Sequence, residues 1–331
     1  MALQLILGSS GAGKSHYLYE HIIESSIREE KTNFLVIVPE QFTMSTQKDF
    51  VKMHPNQGIL NIDILSFLRL SYRIFDEIGA EDRPVLEDTG KTLVLRKVLE
   101  EKKEELSYFR GNIKKAGFVD EIKSLLSELF QYSIDLEELE RMISLSEKKP
   151  MLQKKLQDVL IIYKGFKDYL KERYITTEEV MDVLFQALDK SNLIRNSVIC
   201  FDGFTGFTPS QYKVLEKLFA YAKDVYITIT IDKRENIHYI DEEFKLFHLS
   251  KKTIQKLYDL AKQVNIPIKP PIEPSEIYGL EKFSGRLPRF EKSKELASLE
   301  HNLFRYPYQT FDGETNDISI HSLKNTSEFR L

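Results

Sequence analysis

At 331 residues the chain is longer than one typical compact domain and predicts two. Its 42% hydrophobic and 30% charged residues exclude a disordered polypeptide, and a formal charge of −4, from 47 basic and 51 acidic residues, leaves only a local patch for any nucleic-acid contact. The one cysteine, Cys200, excludes a disulfide framework or a cysteine-rich iron–sulfur site within the chain, and no apolar run reaches the roughly 18 residues of a membrane span, so a soluble, cytoplasmic protein is expected.

The first predicted strand, Leu3-Gln4-Leu5-Ile6-Leu7, leads directly into Gly8-Ser9-Ser10-Gly11-Ala12-Gly13-Lys14-Ser15. His16 to Arg28 then reads as a helix with Leu18, Ile22, Ile23 and Ile27 on one side. The octet fits G-x-x-x-x-G-K-[ST] in strand–loop–helix order, the context that makes such a match a phosphate-binding prediction. Glycines let successive backbone N–H groups turn inward around a polyphosphate, and the helix N-terminus adds its partial positive charge. The loop residues Gly8, Ser9, Ser10, Gly11, Ala12 and Gly13 are therefore expected to cradle ATP. Lys14 is expected to reach the β- and γ-phosphates, and the Ser15 hydroxyl to hold Mg²⁺.

Further on, Asn33 to Val38 is a fully apolar strand, stopped by Pro39, and Glu40-Gln41-Phe42-Thr43 opens a helix to about Lys52. Gly58 to Ile64 predicts a third strand, and Ser66 caps a helix carrying Phe67, Leu68, Leu70, Ile74 and Phe75. From about residue 83 the pattern becomes helix after helix: Asp88 to Glu105, Val119 to Tyr132, Pro150 to Arg173, and one opened by Thr176-Thr177-Glu178-Glu179 in capping-box style and running through Leu188. The α/β pattern then returns with a strand at Ser197 to Phe201, a helix from Pro209, a strand at Val225 to Ile231 and a long helix from about Asp241 to Val264. Ile266 to Pro274, with four prolines, predicts an extended linker. Glu291 to Phe304 is expected to be helical, and Ile318 to Leu323 to be one further strand on which the chain stops, as a fragment of something longer would. The α/β class with a parallel sheet follows, divided into residues 1–82 with 195–331 and a helical insertion at 83–194.

Asp202 ends an apolar strand, where open parallel sheets present ligand-binding residues, and is expected to hold Mg²⁺ together with Ser15. The next position is Gly203, which has no proton acceptor with which to orient an attacking water, so ATP is expected to be bound better than it is hydrolysed. Gln41, Ser66 and Arg69 sit past strand ends and are candidate DNA or nucleotide contacts, while Thr205, Thr208 and Gln211 are polar enough to face the cleft. Cys200 reads as a buried core thiol. No residue is singled out as a general acid or base, and the seven histidines show no metal-ligand spacing.

Taken in order, the glycine loop, Ile37-Val38-Pro39-Glu40-Gln41-Phe42-Thr43, Ile64-Leu65-Ser66-Phe67-Leu68-Arg69-Leu70-Ser71-Tyr72-Arg73, the helical insertion with Val85-Leu86-Glu87-Asp88-Thr89-Gly90-Lys91, and Phe201-Asp202-Gly203-Phe204-Thr205-Gly206-Phe207-Thr208-Pro209 resemble superfamily 1 helicases. More narrowly, they resemble the N-terminal part of the AddB/RexB subunits of bacterial ATP-dependent helicase–nucleases, over essentially the whole chain. That resemblance implies a RecA-like P-loop domain (1A) with a helical insertion (1B), ATP and Mg²⁺ as ligands, DNA and an AddA-type subunit as partners, and resection of double-strand breaks for recombinational repair. It also implies a hydrolase as the full-length parent, whose second RecA-like domain and nuclease domain with a four-cysteine 4Fe–4S cluster are absent here. Gly203 in place of a catalytic Glu, and Ile231-Asp232-Lys233 where active relatives carry a Gln, depart from the pattern of independent helicases. Two other classes fit the loop alone: a P-loop kinase acting on a small metabolite, and a non-catalytic P-loop scaffold.

Overall fold

Side-chain alternation along the central strands sorts the chain into layers. In β1 (Leu3–Gly8), Leu3, Leu5 and Leu7 enter one buried cluster while Ile6 enters another on the opposite face. In β2 (Asn33–Ile37), Leu35 and Ile37 join the first, and Phe34 and Val36 the second. Strands covered on both faces are mainly apolar, which is why these runs are nearly continuous in sequence; the buried exception, Gln4, donates its amide to Pro270 O at 2.6 Å. The computed structural model describes residues 1–79, 83–132, 134–171, 173–177, 179–279, 286–307 and 309–322.

Between β1 and β2 lies α1 (Lys14–Arg28), and after β2 a single 3-10 turn, Glu40–Phe42, leads into α2 (Thr43–Met53). Leu18, Tyr19, Ile22, Ile23 and Phe50 on these helices cover the second face. β3 (Ile62–Leu65) begins later than Gly58, since Leu60 is fully exposed and packs on nothing. Next, α3 (Phe67–Ile78) starts at Ser66, whose hydroxyl accepts the Arg69 N–H.

A two-residue strand β4 (Val85–Leu86) precedes α4 (Asp88–Glu101), α5 (Phe118–Gln131), α6 (Leu136–Leu145) and α7 (Pro150–Leu170). The parallel partner of β4 is β5 (Ile175–Thr176), which ties the two ends of the helical stretch together. Val94, Leu95, Val98, Leu99, Ile122, Leu126, Leu139, Ile162, Tyr163 and Phe166 form its separate core. Inside it, the buried Asp158 carboxylate accepts the backbone N–H groups of Ser107, Tyr108 and Phe109 at 2.9, 2.8 and 2.7 Å. After β5 comes α8 (Glu179–Ala187), with Thr176 and Glu179 exchanging reciprocal side-chain-to-backbone bonds at its start. Val180, Leu184 and Leu188 of this region pack with the sheet's first cluster rather than with the helical core.

A short α9 (Asn192–Arg195) leads into β6 (Ser197–Phe201), α10 (Pro209–Tyr221), β7 (Asp224–Thr230) and α11 (His248–Gln263). The five long strands form one fully parallel sheet in the order β1-β7-β6-β2-β3, so the α/β expectation holds, with a helical region alongside. The long helix predicted from Asp241 starts instead at His248. The Asp241 carbonyl accepts from His248 Nδ1 at 2.7 Å and its carboxylate takes the Lys251 ammonium at 2.5 Å, which folds residues 241–247 back over the helix end.

The proline-rich stretch is extended but not free. Lys269 N–H and Ile272 N–H donate to Leu3 and Leu5 carbonyls at 2.9 Å, while Leu3 and Leu7 N–H donate back to Pro267 and Ile272. Prolines cannot donate, so this segment lines the β1 edge without becoming a sixth full strand. Then follow α12 (Pro274–Tyr278) and α13 (Lys294–Asn302). Residues 318–322 form no strand, a correction to the sequence reading; Leu323 lies outside the described residues. Among the described residues no helix is long and apolar enough to cross a membrane.

Candidate functional site

The C-terminal ends of β1, β6 and β7 converge on one cavity of about 390 Å³, lined by Ser10, Gly11, Gly13, Lys14, Ser15, Asp202, Thr205, Thr228 and Arg289 among others. The glycine loop forms one wall. Gly11 and Gly13 hold φ of 85° and 86°, the left-handed region open to glycine, and Gly13 is the residue from which α1 departs. A Cβ on Gly11 would sit 2.8 Å from Arg289 Cβ, and one on Gly13 would sit 3.0 Å from the Tyr278 ring. Both positions are thus confined by backbone angle and by the segment lying over them.

Lys14 folds its ammonium onto the loop, donating to the Gly8 and Ser9 carbonyls at 2.9 Å each. Burial lowers its pKa to about 8; the Asp202 carboxylate opposes that shift and the Arg289 guanidinium adds to it. The group is still mainly protonated at neutral pH and faces the cavity as a partly desolvated cation. Arg289, an exposed side chain, brings a second cation to the cavity: its backbone N–H donates to Gly11 O at 3.3 Å and its guanidinium lies 3.4 Å from Ser10 Oγ.

Opposite the loop, Asp202 follows the last residue of β6 and is 5% exposed. Ser15 Oγ donates to its Oδ1 at 3.0 Å, Thr228 Oγ1 to the same oxygen at 2.6 Å, and the Tyr19 hydroxyl to Oδ2 at 2.7 Å. Ser15 and Asp202 are 187 residues apart in sequence, and the sheet order brings them together. A hydroxyl and a carboxylate are hard oxygen donors of the kind Mg²⁺ takes alongside substrate phosphates and water. Among the described residues no group of three or more His, Cys, Asp or Glu could hold a metal ion.

Gly203 has a φ of 78°. A side chain there would be strained, and its Cβ would meet Pro39 and Phe42 at 3.6 and 3.7 Å. The backbone, as well as the residue type, disfavours a glutamate at this position.

The other predicted residues are dispersed. Gln41 is exposed on the 3-10 turn, and Arg69 is half exposed and paired with Glu40 at 3.1 Å. Ser66 is buried with its hydroxyl used as a helix cap, so it does not reach the surface. Thr205 lines the cavity, whereas Thr208 and Gln211 form the capping box of α10 instead of facing it. Sequence reasoning missed Tyr19, Thr228, Arg289 and Tyr278. Tyr19 carries a usable signal, since it lies one helical turn after Ser15 and shares its face; the other three have none, because chain folding alone brings them near.

Comparison with known proteins places this geometry in a family. Residues 5–300 match the family described as "ADDB, N-terminal". The chain is 51% identical over 325 residues to the B-type subunit of an ATP-dependent helicase/deoxyribonuclease from Lachnoclostridium phytofermentans, covering 98% of this chain and 28% of that protein. Proteins of the same description from Caldanaerobacter subterraneus subsp. tengcongensis and Clostridium kluyveri are 36% and 32% identical, each over 98% of this chain and 27% of their own length. The chain therefore belongs to the AddB N-terminal family and spans a little over a quarter of these relatives.

Proposed function

From that membership and the Ser15–Asp202 junction, we propose that the chain is the ATP-binding, DNA-contacting N-terminal portion of an AddB-type helicase–nuclease subunit, acting in repair of double-strand breaks. The fold is then a RecA-like P-loop domain. Its glycine loop would cradle the phosphates, Lys14 would neutralise the β- and γ-phosphates, and Ser15 and Asp202 would hold Mg²⁺. The cation would supply charge neutralisation of the phosphates. The observation that carries the reading is the 3.0 Å contact between Ser15 and Asp202 beside the Lys14 ammonium, at the mouth of a parallel sheet. With Gly203 held in a left-handed turn, the site binds ATP–Mg²⁺ and hydrolyses it poorly, leaving the motor to an AddA-type partner.

We take the helical unit to comprise α4 to α7, closed by the β4–β5 pair, with Val180, Leu184 and Leu188, beyond Thr176, packing with the sheet's core. DNA would cross the strand tips beside Gln41 and Arg69, both exposed there. A nuclease domain and its iron–sulfur cluster would lie in the part of the relatives that this chain does not span. Neither the kinase reading nor the scaffold reading gains support from a specific contact.

Calorimetry of ATP–Mg²⁺ binding to the wild type and to Lys14→Ala tests the proposal. Binding is expected in the first and lost in the second, and equal affinities overturn the phosphate-cradle assignment. A ligand at 100 times its Kd should also stabilise the folded chain by about 2.7 kcal/mol, and the absence of any thermal shift points to the scaffold alternative.

A further inference from the structure

We infer that Tyr19 and Thr228 are positioning residues for Asp202, fixing its carboxylate so that the Ser15 bond is the one released when the site takes Mg²⁺; this rests on the ATP–Mg²⁺ reading of the same cavity. An ionised carboxylate offers about four lone-pair positions. Three are filled here, by Tyr19 on Oδ2 and by Thr228 and Ser15 on Oδ1.

The three donors are not equivalent. Tyr19 is 7% exposed and its ring packs on Phe50 with centroids 4.4 Å apart, which fixes the ring; its hydroxyl has Thr46 Oγ1 at 3.5 Å but donates to the nearer Asp202 at 2.7 Å. Thr228 is 3% exposed on β7, a strand paired on both sides with β1 and β6, and its β-branched side chain has few rotamers to choose from. Ser15 is half-buried at the cavity wall, and its bond, at 3.0 Å against 2.7 and 2.6 Å, is the longest. Two bonds therefore hold the carboxylate's orientation, and the third can be given up. Outer groups of this kind typically change metal affinity by 10- to 100-fold.

Tyr19→Phe removes the hydroxyl and keeps the ring on Phe50, Thr228→Val removes the second donor at nearly constant shape, and Thr228→Ser restores it. ATP affinity of the 331-residue chain and each variant is measured by calorimetry in EDTA and in excess Mg²⁺, with unfolding monitored in parallel. The expected result is an unchanged affinity in EDTA, a Mg²⁺-dependent gain reduced about tenfold in Tyr19→Phe and Thr228→Val, and recovery of that gain in Thr228→Ser. A gain that survives both removals, whatever happens to stability, overturns the positioning role and leaves the nucleotide reading standing. Failure of the parent chain to bind ATP under either condition removes both. Should Tyr19→Phe not fold, the Val and Ser variants at position 228 decide between the same outcomes.

Discussion

Asp202 in the sheet and Asp158 in the helical unit are both buried, and both accept three or more hydrogen bonds, yet they do different things. The partners of Asp158 are the backbone amides of Ser107, Tyr108 and Phe109 together with the Ser107 hydroxyl, groups fixed by the chain's course around α7. The partners of Asp202 are side-chain hydroxyls from α1 and β7, and a cavity of about 390 Å³ opens beside them. Backbone donors cannot turn elsewhere, so the first carboxylate is a brace. The Ser15 hydroxyl, next to a void, can change partner, so the second is poised to receive a ligand. Donor type and adjacent space separate structure from site more clearly than burial does.

The largest test of that contrast is a pair of alanine substitutions followed by chemical denaturation. Asp158→Ala strands at least three buried N–H groups and is expected to cost about 3 kcal/mol or more. Asp202→Ala is expected to cost less, about 2 kcal/mol, because the Ser15 hydroxyl can turn to cavity water, while Mg²⁺-dependent ATP binding is lost. Equal destabilisation by the two would end the distinction.

Gly203→Glu is the next largest. The left-handed backbone makes it destabilising by about 1–2 kcal/mol, and a phosphate-release assay should find no gain in ATP turnover. A gain would mean that the turn relaxes and that residue type alone withholds hydrolysis.

The pH dependence of binding sharpens the contrast further. The folded pKa of Lys14 lies near 8, below its ordinary value of 10.5, so between these limits the unfolded chain holds more protons at this site. The sign follows: burying Lys14 opposes folding below pH 8, and that penalty is relieved as pH rises from 8 towards 10.5. Nucleotide binding runs the other way, because it needs the charged form. ATP affinity should therefore fall above pH 8, by up to about tenfold per pH unit, and calorimetry in buffers of different ionisation enthalpy should show proton uptake on binding there. A flat profile would exclude Lys14 as the group that meets the phosphates.

The smallest effect is expected at the surface. Glu40→Ala frees Arg69 from an exposed ion pair, so stability should move by no more than about 0.5 kcal/mol. Single-stranded DNA binding, followed by anisotropy across a salt series, should tighten modestly. No change would separate Arg69 from the DNA path.

The glycine loop and the strand ending at Asp202 are legible in the sequence because each is a local device: an apolar run, a turn chemistry, a helix start. The continuous apolar strands also announce the parallel sheet. α6 is legible through Leu136, Leu139 and Ile143 at helical spacing but goes unread, and only Leu139 of them is fully buried. The stretch at 241–247 reads as helical through Phe244 and Phe247, but Phe244 is 81% exposed and an ion pair, not packing, sets the local path. Within the site, Thr228 and Arg289 are invisible for a different reason. Nothing near them in sequence marks them; strand order and a return of the chain over the loop put them there.

The proline-rich segment along β1 has a consequence for how copies of this molecule meet. Pro267, Pro270 and Pro271 are exposed along that border and carry no N–H, so a visiting strand finds few donors with which to zip on. Fibril-like stacking is discouraged along the flank of the sheet where β1 delivers the glycine loop, and the exposed Lys269 between those prolines adds charge to the same border.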